Sequence, residues 1–267
     1  MNLYDALFEL SDFWLFCVCV LGVWLLTMLA AALMAGLMVV LPHRGIPMVG
    51  TVLTGILLPT GMVIAFVAND VWQNDAAGRT AVADEASAIS DSLRVAKYLP
   101  SELSEPVRVL VQNYTKSVIK DEWPILGSGH FNDASEHHLE QLMVKAVQLQ
   151  TNQAANSSLA IAGQELRRYV TRIELARDAR LRVADTLVRM PKWVSVLVML
   201  FVSACVLAEL HITSRRSLAV VTTLFALGFG VTIYLIAVYD RPFTGKTIIT
   251  AEPLQRALTR AYTLPDL

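Results

Sequence analysis

The chain has 267 residues, of which 55% are hydrophobic and only 17% charged. Soluble domains carry about 25% charged residues, so this balance leans toward lipid, as does a mean hydropathy of +0.50. With 22 basic against 23 acidic side chains the formal net charge is -1, which excludes a strongly basic nucleic-acid binder and an acidic disordered tail.

A membrane-spanning helix needs about 20 mostly apolar residues, because every backbone amide in hydrocarbon must bond within its own segment. Uncharged runs therefore set the organisation. From Phe13 to Leu41 the only ionisable side chains are cysteines. Its N-terminal flank carries Asp5, Glu9 and Asp12 without Lys or Arg, the wrong charge for a signal peptide. A second uncharged run covers Gly45 to Asn69, a third Trp193 to Ala208 and a fourth Ser217 to Tyr239. These predict four spans in two hairpins, over about 13–41, 48–71, 193–210 and 217–239. Pro42 and Pro47 punctuate the first connector. The three cysteines, Cys17, Cys19 and Cys205, lie in apolar runs and read as reduced, buried small hydrophobes.

The expected organisation is an all-α membrane protein with a helical domain between the hairpins. Its parts are an N-terminal transmembrane hairpin (1–71), a cytoplasmic helical domain (72–192), a C-terminal transmembrane hairpin (193–241) and a cytoplasmic C-terminal tail (242–267). Basic residues near helix ends set the orientation. The connectors hold Arg44, Arg215 and Arg216. The other face holds more, among them Arg79, Arg177, Arg180, Arg182, Arg189, Lys192 and Arg241. Both termini are therefore expected in the cytoplasm, as multi-pass topology in a bacterial inner membrane. Trp14, Trp72, Trp193, Tyr239 and Phe243 then form an aromatic belt on that side.

The middle segment carries acidic and basic side chains in equal number, and its pattern is helical. A helix is expected from Asp75 to Leu99, with Ala81, Ile89, Leu93 and Ala96 on one face and Pro100 closing it. Ser104 can cap a second helix with Pro106 in its first turn. Along it Val107, Leu110, Val111, Tyr114 and Val118 share a face, and Trp123-Pro124 ends it. Gly127-Ser128-Gly129 reads as a loop. Asn132 or Asp133 caps a third helix with Leu139, Leu142, Met143, Ala146 and Leu149 inward. A long amphipathic helix follows, with Leu166, Tyr169, Val170, Ile173, Leu181, Ala184, Leu187 and Val188 inward, ending at Pro191.

The second span is the least lipid-like. It holds Gly50, Gly55, Gly61, Pro59 and three threonines. Thr51, Thr54, Leu58, Met62, Ala65 and Asn69 share one helical face. That face of small, weakly polar groups, narrowed at Leu58 and Met62, suits a conduction path with an apolar gate. The same composition also suits close packing between helices. Asn69 and Asp70 end the span and form either a polar vestibule or a solvated helix end. An Asp opposes the dipole there, which favours a cationic partner such as an arginine. Glu122-Trp123 and Asp240-Arg241-Pro242 with Gly245 read as a cytoplasmic mouth or as structural anchors. His130, His137 and His138 lie near acidic residues, but adjacent histidines diverge on a helix, so no metal is expected. No catalytic or cofactor fingerprint occurs, so neither enzyme activity nor a cofactor is expected.

Several elements resemble one family. They are two spans, Tyr114 followed by Glu122-Trp123-Pro124, Arg177-x-x-Arg180-Leu181 before Pro191-Lys192-Trp193, two more spans, and Asp240-Arg241-Pro242-Phe243-x-Gly245. Over about residues 10–255 this resembles the bestrophin-like family of bacterial and plant membrane proteins, named for similarity to the bestrophins. The resemblance implies a homo-oligomeric, mainly anion-selective channel with a hydrophobic neck on the second span, here the Thr51–Asn69 face with Leu58 and Met62 as constriction. The implied partners are membrane lipid, identical subunits in an assembly such as a pentamer, and permeating small ions; no nucleic acid is implied. Two departures stand out. Phe66 is the only aromatic in the apolar part of the second span, and no acidic cluster resembles the bestrophin calcium clasp. The rival functional class is a non-conducting membrane scaffold or sensor that binds a protein through its cytoplasmic helices. A stator-like unit of an ion-driven motor is a third.

Overall fold

The computed structural model describes residues 11–40, 50–127, 133–151, 157–186, 188, 190–243 and 249–263. Among the described residues the regular structure is entirely helical. In chain order the helices are α1 (Asp12–Val40), α2 (Gly50–Lys97), α3 (Ser101–Ser117), a π-helical turn (Val118–Glu122), α4 (Trp123–Leu126), α5 (Asp133–Thr151), α6 (Ser157–Asp185), α7 (Met190–His211), α8 (Arg215–Asp240) and α9 (Glu252–Thr263). Four of them, α1, α2, α7 and α8, are long and apolar enough to cross a membrane.

Several boundaries differ from expectation. The second span does not stop at Val71 but continues as one helix of 48 residues to Lys97, about 72 Å at 1.5 Å per residue. The reason is local: no proline lies between Met62 and Lys97, and nothing else there breaks the hydrogen-bond ladder. Helix α3 starts at Ser101 rather than beyond Ser104, with the Pro100 carbonyl accepting from the Leu103 and Ser104 amides at 2.8 Å. Trp123-Pro124 does not end the chain's helical course. The backbone widens into the π turn and resumes, with Pro124 in the first turn of α4, where a missing N–H costs nothing. The long helix α6 ends at Asp185, ahead of Pro191, which sits in the first turn of α7.

The chain forms two compact units. The first comprises residues 1–73 and 187–247. In it α1 packs on α7 and α8, and Val23, Ile64, Val67, Ala68, Val71, Val196, Leu200, Ala226, Ile233 and Ile236 form the core. The hydroxyls of Thr60 and Ser203 meet at 3.0 Å across that core. Gly230 allows a close approach of α8 to α1: a Cβ there would lie 2.7 Å from the Val20 Cα. By contrast the outer face of α1 leaves Leu21, Leu25, Leu29 and Leu33 more than half exposed, as a lipid-facing surface requires. Ser214 caps α8 by accepting from the Ser217 amide.

The second unit comprises residues 74–186 and 248–267. Helix α5 packs on α3 and α6, and α9 on α3. The expected inward faces are buried at Ala81, Ile89, Leu93 and Ala96, at Val107, Val111, Tyr114 and Val118, and at Leu139, Leu142, Ala146 and Leu149. On α6 the stripe drifts. Leu166, Val170 and Ile173 are buried as expected, but the next inward positions are Arg177, Arg180 and Val183 rather than Leu181 and Ala184. Residues 252–263, within the expected C-terminal tail, form α9, whose Leu254 and Ala257 are buried. Gly163 on α6 is pressed against α5, since a Cβ would fall 2.4 Å from the Gln150 amide nitrogen. Gly163→Ala is expected to force that crossing apart and cost about 1–3 kcal/mol. Gly55→Ala, facing open space, is expected to leave the melting temperature in place. Equal melting of the two variants would contradict this packing.

Candidate functional site

The face singled out on the second span is not packed within its own unit. Thr51, Thr54, Leu58, Met62, Ala65 and Asn69 are all exposed, Leu58 at 68% and Met62 at 52%. The opposite side of the same helix carries Thr60, Ile64, Val67, Ala68 and Val71 into the core. Gly50, Gly55 and Gly61 of this span do not serve close packing inside the chain either, because a Cβ on any of them would meet nothing within 4 Å. Thr54 returns its hydroxyl to the Gly50 carbonyl at 3.4 Å and Thr60 to that of Ile56 at 2.7 Å. Such bonds keep a threonine's hydroxyl satisfied in an apolar setting. Pro59 lies within this stretch, inside the helix.

Asp70 has its cationic partner, but a lysine rather than an arginine. The Lys192 ammonium donates to its carboxylate at 2.5 Å, with both side chains about half exposed. Asp240 is buried and accepts the Val188 backbone N–H at 2.7 Å, holding the chain that leads into α7. Pro242 and Phe243 are buried beside it. The Asp240-Arg241-Pro242 corner thus anchors backbone; Gly245 lies outside the described residues.

The most unusual chemistry lies in the second unit, where four charges are buried together. Glu85, Glu122 and Arg180 have no exposure and Arg177 has 6%. Arg180 donates through Nε to Glu85 Oε2 at 2.7 Å and through Nη2 to Glu85 Oε1 at 3.2 Å and Glu122 Oε1 at 2.7 Å. Tyr114 donates its hydroxyl to Glu85 Oε1 at 2.7 Å. Arg177 donates through Nε and Nη2 to Glu122 Oε2 at 3.2 and 2.9 Å, and Ser135 donates to the same oxygen at 2.5 Å. The Trp123 ring lies 5.4 Å from the Arg180 guanidinium carbon, within cation–π range. Two guanidinium groups against two carboxylates leave no net charge, which is what makes burial tolerable.

The π turn has a role here. It winds the backbone wide between Val118 and Glu122, and Glu122, at its end, points inward. Burial works against the ionised form of Glu122, but Arg180, the Ser135 hydrogen bond and Arg177 outweigh it and hold the carboxyl below its ordinary 4.5. Burial, then the Glu85 carboxylate, pushes the Tyr114 phenol well up. Burial opposes the charge on Arg180 too, and Glu85 and Glu122 overcome it, so the guanidinium stays protonated.

A carboxyl whose folded pKa is depressed contributes stability that is complete above its unfolded value and fades as pH falls through the folded one. The melting temperature is therefore expected to drop as pH falls below 4.5, and Glu122→Gln to flatten that limb. Parallel acid limbs in wild type and Glu122→Gln would refute the assignment.

Of this cluster, Tyr114 stands out in the sequence as part of an apolar helix face, Glu122 and Trp123 as a mouth or anchor, Arg177 and Arg180 by resemblance as a pair, and Glu85 does not stand out at all. A signal exists: Val82, Glu85, Ile89, Leu93 and Ala96 fall on one stripe of α2, and Leu166, Val170, Ile173, Arg177 and Arg180 on one stripe of α6. Charges at core positions of two helices are the mark of a buried pair. Among the described residues no group of His, Cys, Asp and Glu could hold a metal.

A family model, the Bestrophin-like domain, matches residues 17–254. The crystal structure of a bacterial bestrophin homolog from Klebsiella pneumoniae superposes with a TM-score of 0.69 at 11% identity, covering 92% of this chain and 96% of that one. A single-substitution variant of that homolog gives 0.71 at 11%, covering 93% and 99%. A further structure, described as a membrane protein with a single substitution, gives 0.67 at 13%, covering 92% and 96%. No curated protein matches the chain.

Proposed function

The chain belongs to the bestrophin-like family, and on that premise we propose that it is a homo-oligomeric ion channel, anion-permeable, with α2 lining the pore. Each subunit turns the face bearing Thr51, Thr54, Leu58, Met62, Ala65 and Asn69 toward a shared axis, in an assembly such as a pentamer. The observation that carries this reading is that the most polar face of a spanning helix stays uncovered by its own chain. A face that repeats threonine and ends in Asn69 and Asp70 fits a water-filled path better than hydrocarbon. Ions crossing it meet weak dipoles from threonine and from backbone, and no fixed charge between Thr51 and Asn69. Leu58 and Met62 narrow the path and gate it by dewetting. The membrane is the bacterial inner membrane, with both termini in the cytoplasm. The domain plan is a transmembrane hairpin at 1–71, a cytoplasmic helical domain at 72–192, a second hairpin at 193–241 and a cytoplasmic tail at 242–267. No step of this function calls for catalysis.

Purified protein reconstituted into planar bilayers is expected to pass current, with a reversal potential in a salt gradient on the side of anion permeation. An oligomer without an axial opening, silent in bilayers and co-purifying with a protein partner, would replace the channel with a scaffold. A density map placing Leu58 and Met62 against acyl chains would do so as well.

A further inference from the structure

The π turn has a second face, away from the buried charges. There a cavity of about 240 Å³ opens, lined by Asn113, Lys116, Ser117, Lys120 and His138, with the α5 first-turn residue Ala134 and the carboxylate of Asp121. Two of these groups are incomplete. The Ser117 hydroxyl and His138 Nδ1 are buried atoms without a hydrogen-bond partner, and Ser117 as a whole is only 6% exposed. A buried hydroxyl left unpaired costs about 1–3 kcal/mol, and a serine inside a helix ordinarily returns its hydroxyl to the carbonyl four residues back. Thr115, two positions earlier, does so at 2.8 Å to Val111; Ser117, immediately before the π turn, does not. π turns of this kind recur at functional sites.

We propose that this cavity binds a phosphate-type oxyanion, either free phosphate or the phosphoryl group of a lipid headgroup. Its lining fits that chemistry. Two ammonium groups, a serine hydroxyl, an asparagine amide and an imidazole offer donors for a tetrahedral group with four oxygens. The positive end of the 19-residue α5 adds to the field through its first turn. The Asp121 carboxylate in the lining accepts a hydrogen bond from the O–H that monohydrogen phosphate keeps. A cavity of about 240 Å³ has room for a polyatomic anion. The site is separate from the α2 face, so its occupancy does not depend on whether the chain conducts.

The test uses the full chain in a phosphate-free maltoside detergent. Inorganic phosphate is expected to raise the melting temperature in a saturable way, while chloride at matched ionic strength does not. Ser117→Ala and Lys120→Gln are each expected to weaken binding about tenfold, equivalent to about 1.4 kcal/mol. Without phosphate Ser117→Ala should melt no lower than wild type, since it deletes an unpaired hydroxyl. A short-chain phosphatidic acid added in place of phosphate separates the sources. Stabilisation by the lipid alone, lost in the same variants, assigns the site to a headgroup. Absence of stabilisation by either anion, or stabilisation unchanged in both variants, overturns the proposal.

Discussion

Arg180→Met is expected to be the most damaging single substitution in the chain, lowering stability by about 3–5 kcal/mol. Arg180 is fully buried, and so are Glu85 and Glu122, the two carboxylates it bridges. Methionine fills much of the same volume, so the loss is not one of packing. What remains is a pair of carboxylates in a dry interior. Arg177 still reaches Glu122, but Glu85 keeps only the Tyr114 hydroxyl among its side-chain hydrogen bonds in this cluster. Against a total of about 5–15 kcal/mol for a typical domain, that loss populates the unfolded state. Glu85→Gln, which retains an amide oxygen for Arg180, is expected to cost less. Arg79→Ala, which removes a pair between a half-exposed guanidinium and Asp75 one helical turn away, is expected to cost no more than about 1 kcal/mol. Thermal unfolding followed by tryptophan fluorescence reads all three, since Trp123 lies beside the Arg180 guanidinium. An Arg180→Met protein that melts with the Arg79→Ala protein would show that the cluster contributes nothing to stability.

Leu58→Ala and Met62→Ala are expected to raise conductance or open probability several-fold, and the double variant more than either. An apolar constriction blocks ions by excluding water, so removing methylenes from its ring lets water and then ions through. The structure makes the experiment clean. Both side chains are exposed within the chain, so shortening them opens no cavity in the subunit core. Ile64→Ala, two positions from Met62 but buried at 4% exposure, is expected instead to cost about 2–5 kcal/mol of stability. Leu29→Ala, on the exposed face of α1, is expected to change neither current nor melting. Currents unaltered by both gate substitutions, from protein that conducts in its wild-type form, would move the constriction elsewhere.

The four spans were legible because hydrocarbon imposes a length and a composition that show in one dimension. Their ends were less so. Helices are expected on both sides, at 48–71 and 75–99, but nothing in Trp72, Gln73 and Asn74 announces that the two join into α2, because a few residues without proline read equally as loop or as helix until their neighbours are placed. The faces of α3 and α5 were legible from apolar spacing. The face of α6 was not, beyond Ile173, because its next inward positions are arginines and an apolar pattern cannot flag a charged core residue.

The sequence by itself determined a helical membrane protein, its four spans and the weakly polar face of the second, since each follows from local composition and helical period. Only the tertiary structure decided that this face stays uncovered, that Asp70 meets Lys192, and that Glu85, Glu122, Arg177 and Arg180 neutralise one another in a dry core. Those outcomes turn on residues far apart in the chain arriving at one place. A buried charge is tolerable only through the partner that meets it there, and no single helix encodes that meeting.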